Sequence, residues 1–145
     1  MKSPEDLPQH LLADEKHTRF NGEKAYIATT VADDCVLGVS LSLSAGTPSL
    51  TEAYSHFKRE AQRLDPDYQA QTVNTDGWSA TQNAWLSLFP TIVLIQCFLH
   101  AFISIRSRCK KLTDFPQLCH YIWDVYHATT VDAVLFRRFK GDFVQ

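Results

Sequence analysis

Long hydrophobic runs are missing from this 145-residue chain. No apolar stretch approaches the roughly 18 residues of a membrane span, so no membrane partner is expected. Met1-Lys2 leads into Ser3-Pro4-Glu5-Asp6 instead of an apolar segment, which argues against a secretory leader. The expectation is a soluble, cytoplasmic protein. Paired cysteines are also missing. The four present, at 35, 97, 109 and 119, lack the spacing of a secreted disulfide scaffold, so reduced thiols are expected. An excess of positive charge is the third absence. With 14 Lys and Arg against 16 Asp and Glu, the net charge is -2, whereas a self-sufficient nucleic-acid binder is usually basic. Any DNA contact must therefore come from local patches. Two exist, Arg106, Arg108, Lys110 and Lys111, and then Arg137, Arg138 and Lys140. Both equally suit helix ends, where cations favour the macrodipole.

Hydrophobic residues at 45% and charged residues at 21% place the chain among globular proteins, at the length of one ordinary domain. Residues 1–8 carry prolines and acids without an apolar period and are predicted to be a linker remnant. Leu11-Leu12-Ala13-Asp14-Glu15 predicts a short strand ending in acids. After a turn at Asn21-Gly22, the aromatic and β-branched run from Ala25 to Val31 predicts a second strand, and Asp33-Asp34 the next turn. Leu37, Val39, Leu41 and Leu43 alternate with Gly38, Ser40, Ser42 and Ser44, which predicts a third strand with its leucine and valine face covered. Ser49-Leu50-Thr51-Glu52 matches a capping box. The helix after it carries Leu50, Ala53, Tyr54, Phe57, Ala61 and Leu64 on one stripe and stops at Asp65-Pro66.

The chemistry concentrates between Thr72 and Lys111. Thr72-Val73-Asn74-Thr75 is a short β-prone run that delivers Asp76 against Gly77, where the chain can turn sharply. Trp78, Trp85, Leu88 and Phe89 then mark one helical face, which Pro90 ends. Ile92-Val93-Leu94-Ile95 predicts a strand covered on both faces. Cys97 follows it, with His100 three residues on. Phe98 to Ile105 leads a helix that turns basic, Asp114-Phe115-Pro116-Gln117 starts another with Leu118, Ile122, Val125 and Tyr126 inward, and Val131 to Lys140 forms a last one. The order is β-β-β-α-β-α-β-α, an α/β chain. It compares with a ribonuclease-H-like mixed five-stranded sheet, where the first and fourth strands lie side by side. That comparison would bring Asp14 and Asp76 to the same end of adjacent strands, where ligands of such sheets gather.

Ala13-Asp14-Glu15, Asn74-Thr75-Asp76-Gly77-Trp78 and Cys97-Phe98-Leu99-His100 together resemble the DDE transposases, in particular the Mutator-like and related bacterial insertion-sequence group. There the first acid follows the first strand, the second lies in an Asp-Gly context after the fourth, and a Cys-x-x-His motif follows the fifth. The resemblance implies a catalytic core over residues 9–112, and the truncated start of a helical insertion over 113–145. It implies Asp14 and Asp76 as catalytic ligands of Mg²⁺, with Mn²⁺ as a substitute. It further implies DNA, as transposon ends and target, as the partner of the full-length form, with homo-oligomerisation as a further expectation. Such enzymes cleave and join DNA phosphodiesters with two cations, for which hard carboxylate oxygens are suited.

The family's third acid, usually a Glu beyond the insertion, has no counterpart here, because Glu52 and Glu60 precede the second acid. The expectation is therefore a transposase fragment that is inactive alone. The alternative is a domesticated, non-catalytic interaction domain that keeps the fold. A complete ribonuclease-H-like nuclease would need Asp124 or Asp132 as its third acid. The alternative for Asp14 is a strand-end acid in solvent, and for Asp76 an ordinary turn residue. Trp78 and Trp85 read as core in preference to base-stacking groups. Cys97 and His100 stay open among a motif that orients the end of the fifth strand, a buried thiol with a bonded histidine, and a zinc site with Cys109, Cys119 and His120. Cys109 lies some 13 Å from His100 by helical rise, which weighs against zinc.

Overall fold

The computed structural model describes residues 7–128. Five strands form one mixed sheet in the order β3-β2-β1-β4-β5, from β1 (His10–Phe20), β2 (Glu23–Ala32), β3 (Cys35–Ser42), β4 (Thr72–Thr75) and β5 (Val93–Gln96). The first three make an antiparallel meander, while β4 joins β1, and β5 joins β4, in parallel. This is the ribonuclease-H-like α/β arrangement, with the first and fourth strands adjacent. The hairpin turns follow from local chemistry. Asn21 and Gly22 both take positive φ, at 51° and 84°, as do Asp33 and Asp34, which matches the twist of the flanking strands.

One face of the sheet carries the helices α1 (Thr47–Leu64) and α2 (Ser79–Leu88). The α1 stripe of Leu50, Ala53, Tyr54, Phe57 and Ala61 is buried. It meets Trp85, Phe89, Tyr68 and Val73, and the rings of Tyr54 and Trp85 lie 5.0 Å apart. The crossovers α1 and α2 thus pin the parallel strands from the same side. The Tyr68 hydroxyl donates to the Pro8 carbonyl, tying the α1–β4 connection to the start of β1.

Four expectations are corrected. β1 does not end in acids but runs six residues beyond Asp14, because β2 pairs with it as far as Phe20. In β3, Val39 at 61% and Leu41 at 46% are exposed and the glycine–serine side faces α1, while Leu37 keeps the expected cover, half-buried against the core. The physical reason is space: a Cβ on Gly38 would sit 3.2 Å from Phe57 Cβ, so only small residues admit the helix. Ser49 and Glu52 form no capping box, since α1 begins at Thr47 with Gly46 as N-cap and no side-chain cap bond. Pro48 in the first turn starts the helix earlier. Finally, β5 is an edge strand whose Val93 and Ile95 are exposed at 59% and 43%, not a strand covered on both faces.

The chain divides into two compact units after Cys97. The second contains α3 (Phe98–Cys109) and α4 (Phe115–Tyr126), with Asp114 at the N-cap of α4. Its rings gather within one cluster, Phe98 lying 4.3 Å from Tyr126 and 5.3 Å from Trp123. Neither helix has a buried residue, and the expected inward Val125 and Tyr126 are exposed. The predicted helix Val131 to Lys140, Asp132 and the basic patch at Arg137, Arg138 and Lys140 lie outside the described residues. Among the described residues, no helix is long and apolar enough to cross a membrane.

Candidate active site

The pairing of β1 with β4 sets the geometry. His10, Leu11 and Leu12 pair with Thr72, Val73 and Asn74, each partner 62 positions further on, and Asp76 stands at that same offset from Asp14. Asp14 lies within β1 opposite Thr29 of β2, and Asp76 is the first residue past β4. Side chains alternate along a strand. Leu11, Ala13 and Glu15 therefore face the helices and are buried, while Leu12 and Asp14 face the other way and are exposed. In β4, Val73 and Thr75 are buried, which puts Asn74 on the Asp14 side.

Asp76 is held by its own loop. Its Oδ1 accepts the Trp78 backbone N–H at 2.8 Å, at the first turn of α2, where an anion complements the helix dipole. Gly77 takes φ +90°, a conformation that L side chains rarely adopt, and a Cβ there would meet Gln96 Nε2 at 2.9 Å. The turn is thus closed against the end of β5, and the Cys97 N–H donates to the Thr75 carbonyl at 2.7 Å.

Behind the two acids lies a third carboxyl that faces inward. Glu15 is only 8% exposed, and its Oε1 accepts hydroxyl protons from Tyr54 of α1 at 2.6 Å and Thr81 of α2 at 2.7 Å. Burial pushes its pKa up, the two hydrogen bonds counter this, and the charges of Asp76 and Asp14 push it up further. The Tyr54 phenol is itself raised, first by burial and then by the Glu15 charge. Glu15 was legible only in part: its alternation with Leu11 and Ala13 puts an acid on an apolar face, but its hydroxyl partners lie 39 and 66 positions away.

The donors present suit a hard cation. Asp14 and Asp76 offer carboxylate oxygens, and Asn74 Oδ1, on the Asp14 side of β4, is buried without a hydrogen-bond partner. Mg²⁺ is commonly held by one or two carboxylates, with water and substrate phosphate completing its shell. Among the described residues no group of three or more His, Cys, Asp and Glu side chains is arranged to hold a metal. Glu15 does not supply a third ligand, being turned inward and bonded to two hydroxyls. Cys97 is half-buried at the end of the first unit, and His100 is exposed on α3 in the second. Trp85 is fully buried, as expected of a core residue. Trp78 is half-buried against the core with the rings of His17 and Tyr26 beside it.

No protein-family model matches the chain, and no curated protein matches it. Among solved structures it is similar to a chain of the simian T-cell lymphotropic virus intasome in complex with PP2A regulatory subunit B56 gamma. That match has 13% identity and a TM-score of 0.46, and covers 96% of this chain but 50% of that one. It is also similar to the HTLV-2 integrase catalytic core domain in complex with magnesium, at 17% identity and a TM-score of 0.44, covering 97% and 90%. The catalytic domain of Mos1 mariner transposase matches at 12% identity and a TM-score of 0.43, covering 91% and 76%. The fold assignment itself rests on the strand order and the β1–β4 pairing.

Proposed function

We propose that this chain carries part of the acid centre of a DDE-type transposase, in which Asp14 and Asp76 hold a divalent cation, Mg²⁺ or Mn²⁺, against a DNA phosphodiester. The observation that supports this is the shared 62-residue offset: β1 pairs with β4 in parallel at that offset as far as Leu12 and Asn74, and Asp14 and Asp76 continue it two residues further on. When bound, such a cation supplies Lewis-acid polarisation of a phosphodiester oxygen. The chain's own residues do the positioning. Asp14 is fixed by the β1–β2 ladder, Asp76 by the Trp78 amide, and Glu15 ties β1 itself to α1 and α2. The two described carboxylates suffice for one cation, whereas the family's reaction uses two. The chain alone is accordingly read as inactive or nearly so, with residues 9–112 as the core and 113–145 as the start of an insertion. Cys97, bonded through its backbone to Thr75, is read together with His100 as a motif that orients the end of β5. Homo-oligomerisation, DNA as partner and a cytoplasmic location belong to the same proposal.

The test is Mn²⁺ titration of the purified chain followed by electron paramagnetic resonance, alongside cleavage of labelled DNA. Asp14→Asn and Asp76→Asn are each expected to weaken Mn²⁺ binding at least about tenfold, as loss of one of two charged ligands implies. Equal Mn²⁺ affinity in the wild type and both variants would refute the site. A second reading, a non-catalytic interaction domain on the same fold, is favoured by the lack of a third ligand among the described residues. Mn²⁺-dependent cleavage that Asp76→Asn abolishes would exclude that reading and the expected inactivity together.

A further inference from the structure

The β1–β2 hairpin outruns its neighbour. Pairing of β1 with β4 stops at Leu12, whereas pairing with β2 continues to Phe20, so residues 16–24 project as a two-stranded ribbon past the end of β4. On the helix side of this ribbon, His17 pairs across the ladder with Tyr26, and Arg19 with Lys24. The His17 and Tyr26 rings lie 5.0 Å apart, and Trp78 joins them at 6.0 and 5.8 Å. His17 is exposed and Tyr26 half-buried, while Trp78 is half-buried with one side against the core. A depression of about 470 Å³ is lined by His17, Thr18, Arg19, Lys24, Ala25 and Tyr26. Arg19 Nη1 is bonded to the Gly22 carbonyl at 3.0 Å, which holds the guanidinium at the turn. Lys16 adds a further cation on the opposite side of the ribbon.

We infer that this ring-and-cation face is a binding site for an unpaired DNA strand, with a base against the His17–Tyr26–Trp78 rings and phosphates at Arg19 and Lys24. Rings that present a π-face beside cations are the combination that holds single strands without reading sequence. In a chain of net charge -2, cations gathered on a projecting ribbon are an anion site by complementarity. The placement fits the proposed acid centre, on which the choice of DNA rests. His17 lies three residues along β1 from Asp14, about 10 Å. Asp14 and the rings occupy opposite sides of the ribbon, but β4 ends at Thr75, and the chain crosses that open end through Asp76 and Gly77 to Trp78.

The experiment measures binding of a fluorescein-labelled single-stranded DNA oligonucleotide by anisotropy, with EDTA present so that no cation takes part, and with the matched duplex for comparison. The single strand is expected to bind more tightly than the duplex, and His17→Ala to weaken it about tenfold. The double variant Arg19→Ala with Lys24→Ala is expected to lower the slope of log affinity against log salt by about 1.4, the value for two phosphates on a single strand. Because Arg19 also bonds the turn, Lys24→Glu alone, at an exposed position, is the second variant and is expected to weaken binding in the same direction. Unchanged affinity in His17→Ala and Lys24→Glu, with melting curves like the wild type, overturns the inference, as does tighter binding of duplex. The absence of Mn²⁺ from this assay separates the outcomes: an oligonucleotide bound as expected by a chain that fails the Mn²⁺ titration keeps the strand site and removes the acid centre.

Discussion

Glu15 shows how a single side chain can couple three elements. It sits between two exposed neighbours on β1, yet its carboxyl joins α1 through Tyr54 and α2 through Thr81. A raised carboxyl pKa means that the folded chain keeps a proton which the unfolded chain has released. The stability from this group is therefore greatest at low pH and falls as pH rises from about 4.3 through the folded value. Urea midpoints measured from about pH 5 to about pH 8 should decline less in Glu15→Gln than in the wild type. Equal slopes would show that Glu15 is solvated. Thr81→Val, which removes a buried hydrogen bond to the Glu15 carboxyl, should cost about 1–3 kcal/mol. At the same scale, Asp14 and Asp76 were legible as candidates because an acid beside a strand and an Asp-Gly turn are local patterns. Glu15 lies one residue out of phase with Asp14, and that phase is what carries it inside.

Among the elements, β3 and α1 carry the clearest lesson about what periodicity conveys. Alternation tells that the two sides of a strand differ, but it does not say which side meets a helix. In β3 Val39 and Leu41 are outside and the helix α1 lies over Gly38, Ser40 and Ser42, with Phe57 against Gly38. Two substitutions separate the arrangements. Gly38→Val should destabilise by about 1–3 kcal/mol, since Phe57 Cβ belongs to the helix and cannot swing aside. Leu41→Lys, on the exposed side, should stay within about 0.5 kcal/mol. The reverse ranking in urea unfolding would place the leucines inside. The start of α1 has a similar cause: Pro48 and the Gly46 N-cap supersede the Ser49–Glu52 pattern, and Glu52 instead approaches Arg59 at 3.5 Å. The helices and the turns at Asn21-Gly22 and Asp33-Asp34 were legible, because their determinants lie within a few residues.

At the scale of the whole molecule, burial is divided unevenly. Leu50, Tyr54, Val73, Trp85 and Phe89, all in the first unit, are fully buried, while α3 and α4 bury no residue completely. Stability that comes from apolar burial should follow the same division. Urea unfolding followed by tryptophan emission should show the Trp123 signal, obtained by comparing the wild type with Trp123→Phe, changing at lower urea than the signal of Trp78 and Trp85. Coincident transitions would mean that the two units unfold as one.

By itself the sequence determined what acts over short distances along the chain: the turns, the strand and helix types, the breaks at Pro66 and Pro90, and the Asp-Gly turn after β4. The order of those elements, compared with a known architecture, also placed β4 beside β1. Only the tertiary structure decided which face of β3 is covered, that β5 is an exposed edge, and that Glu15 is bonded from two helices. Each depends on residues that are distant along the chain and meet only after the sheet and its crossovers have packed, and such meetings leave no periodic mark in the sequence.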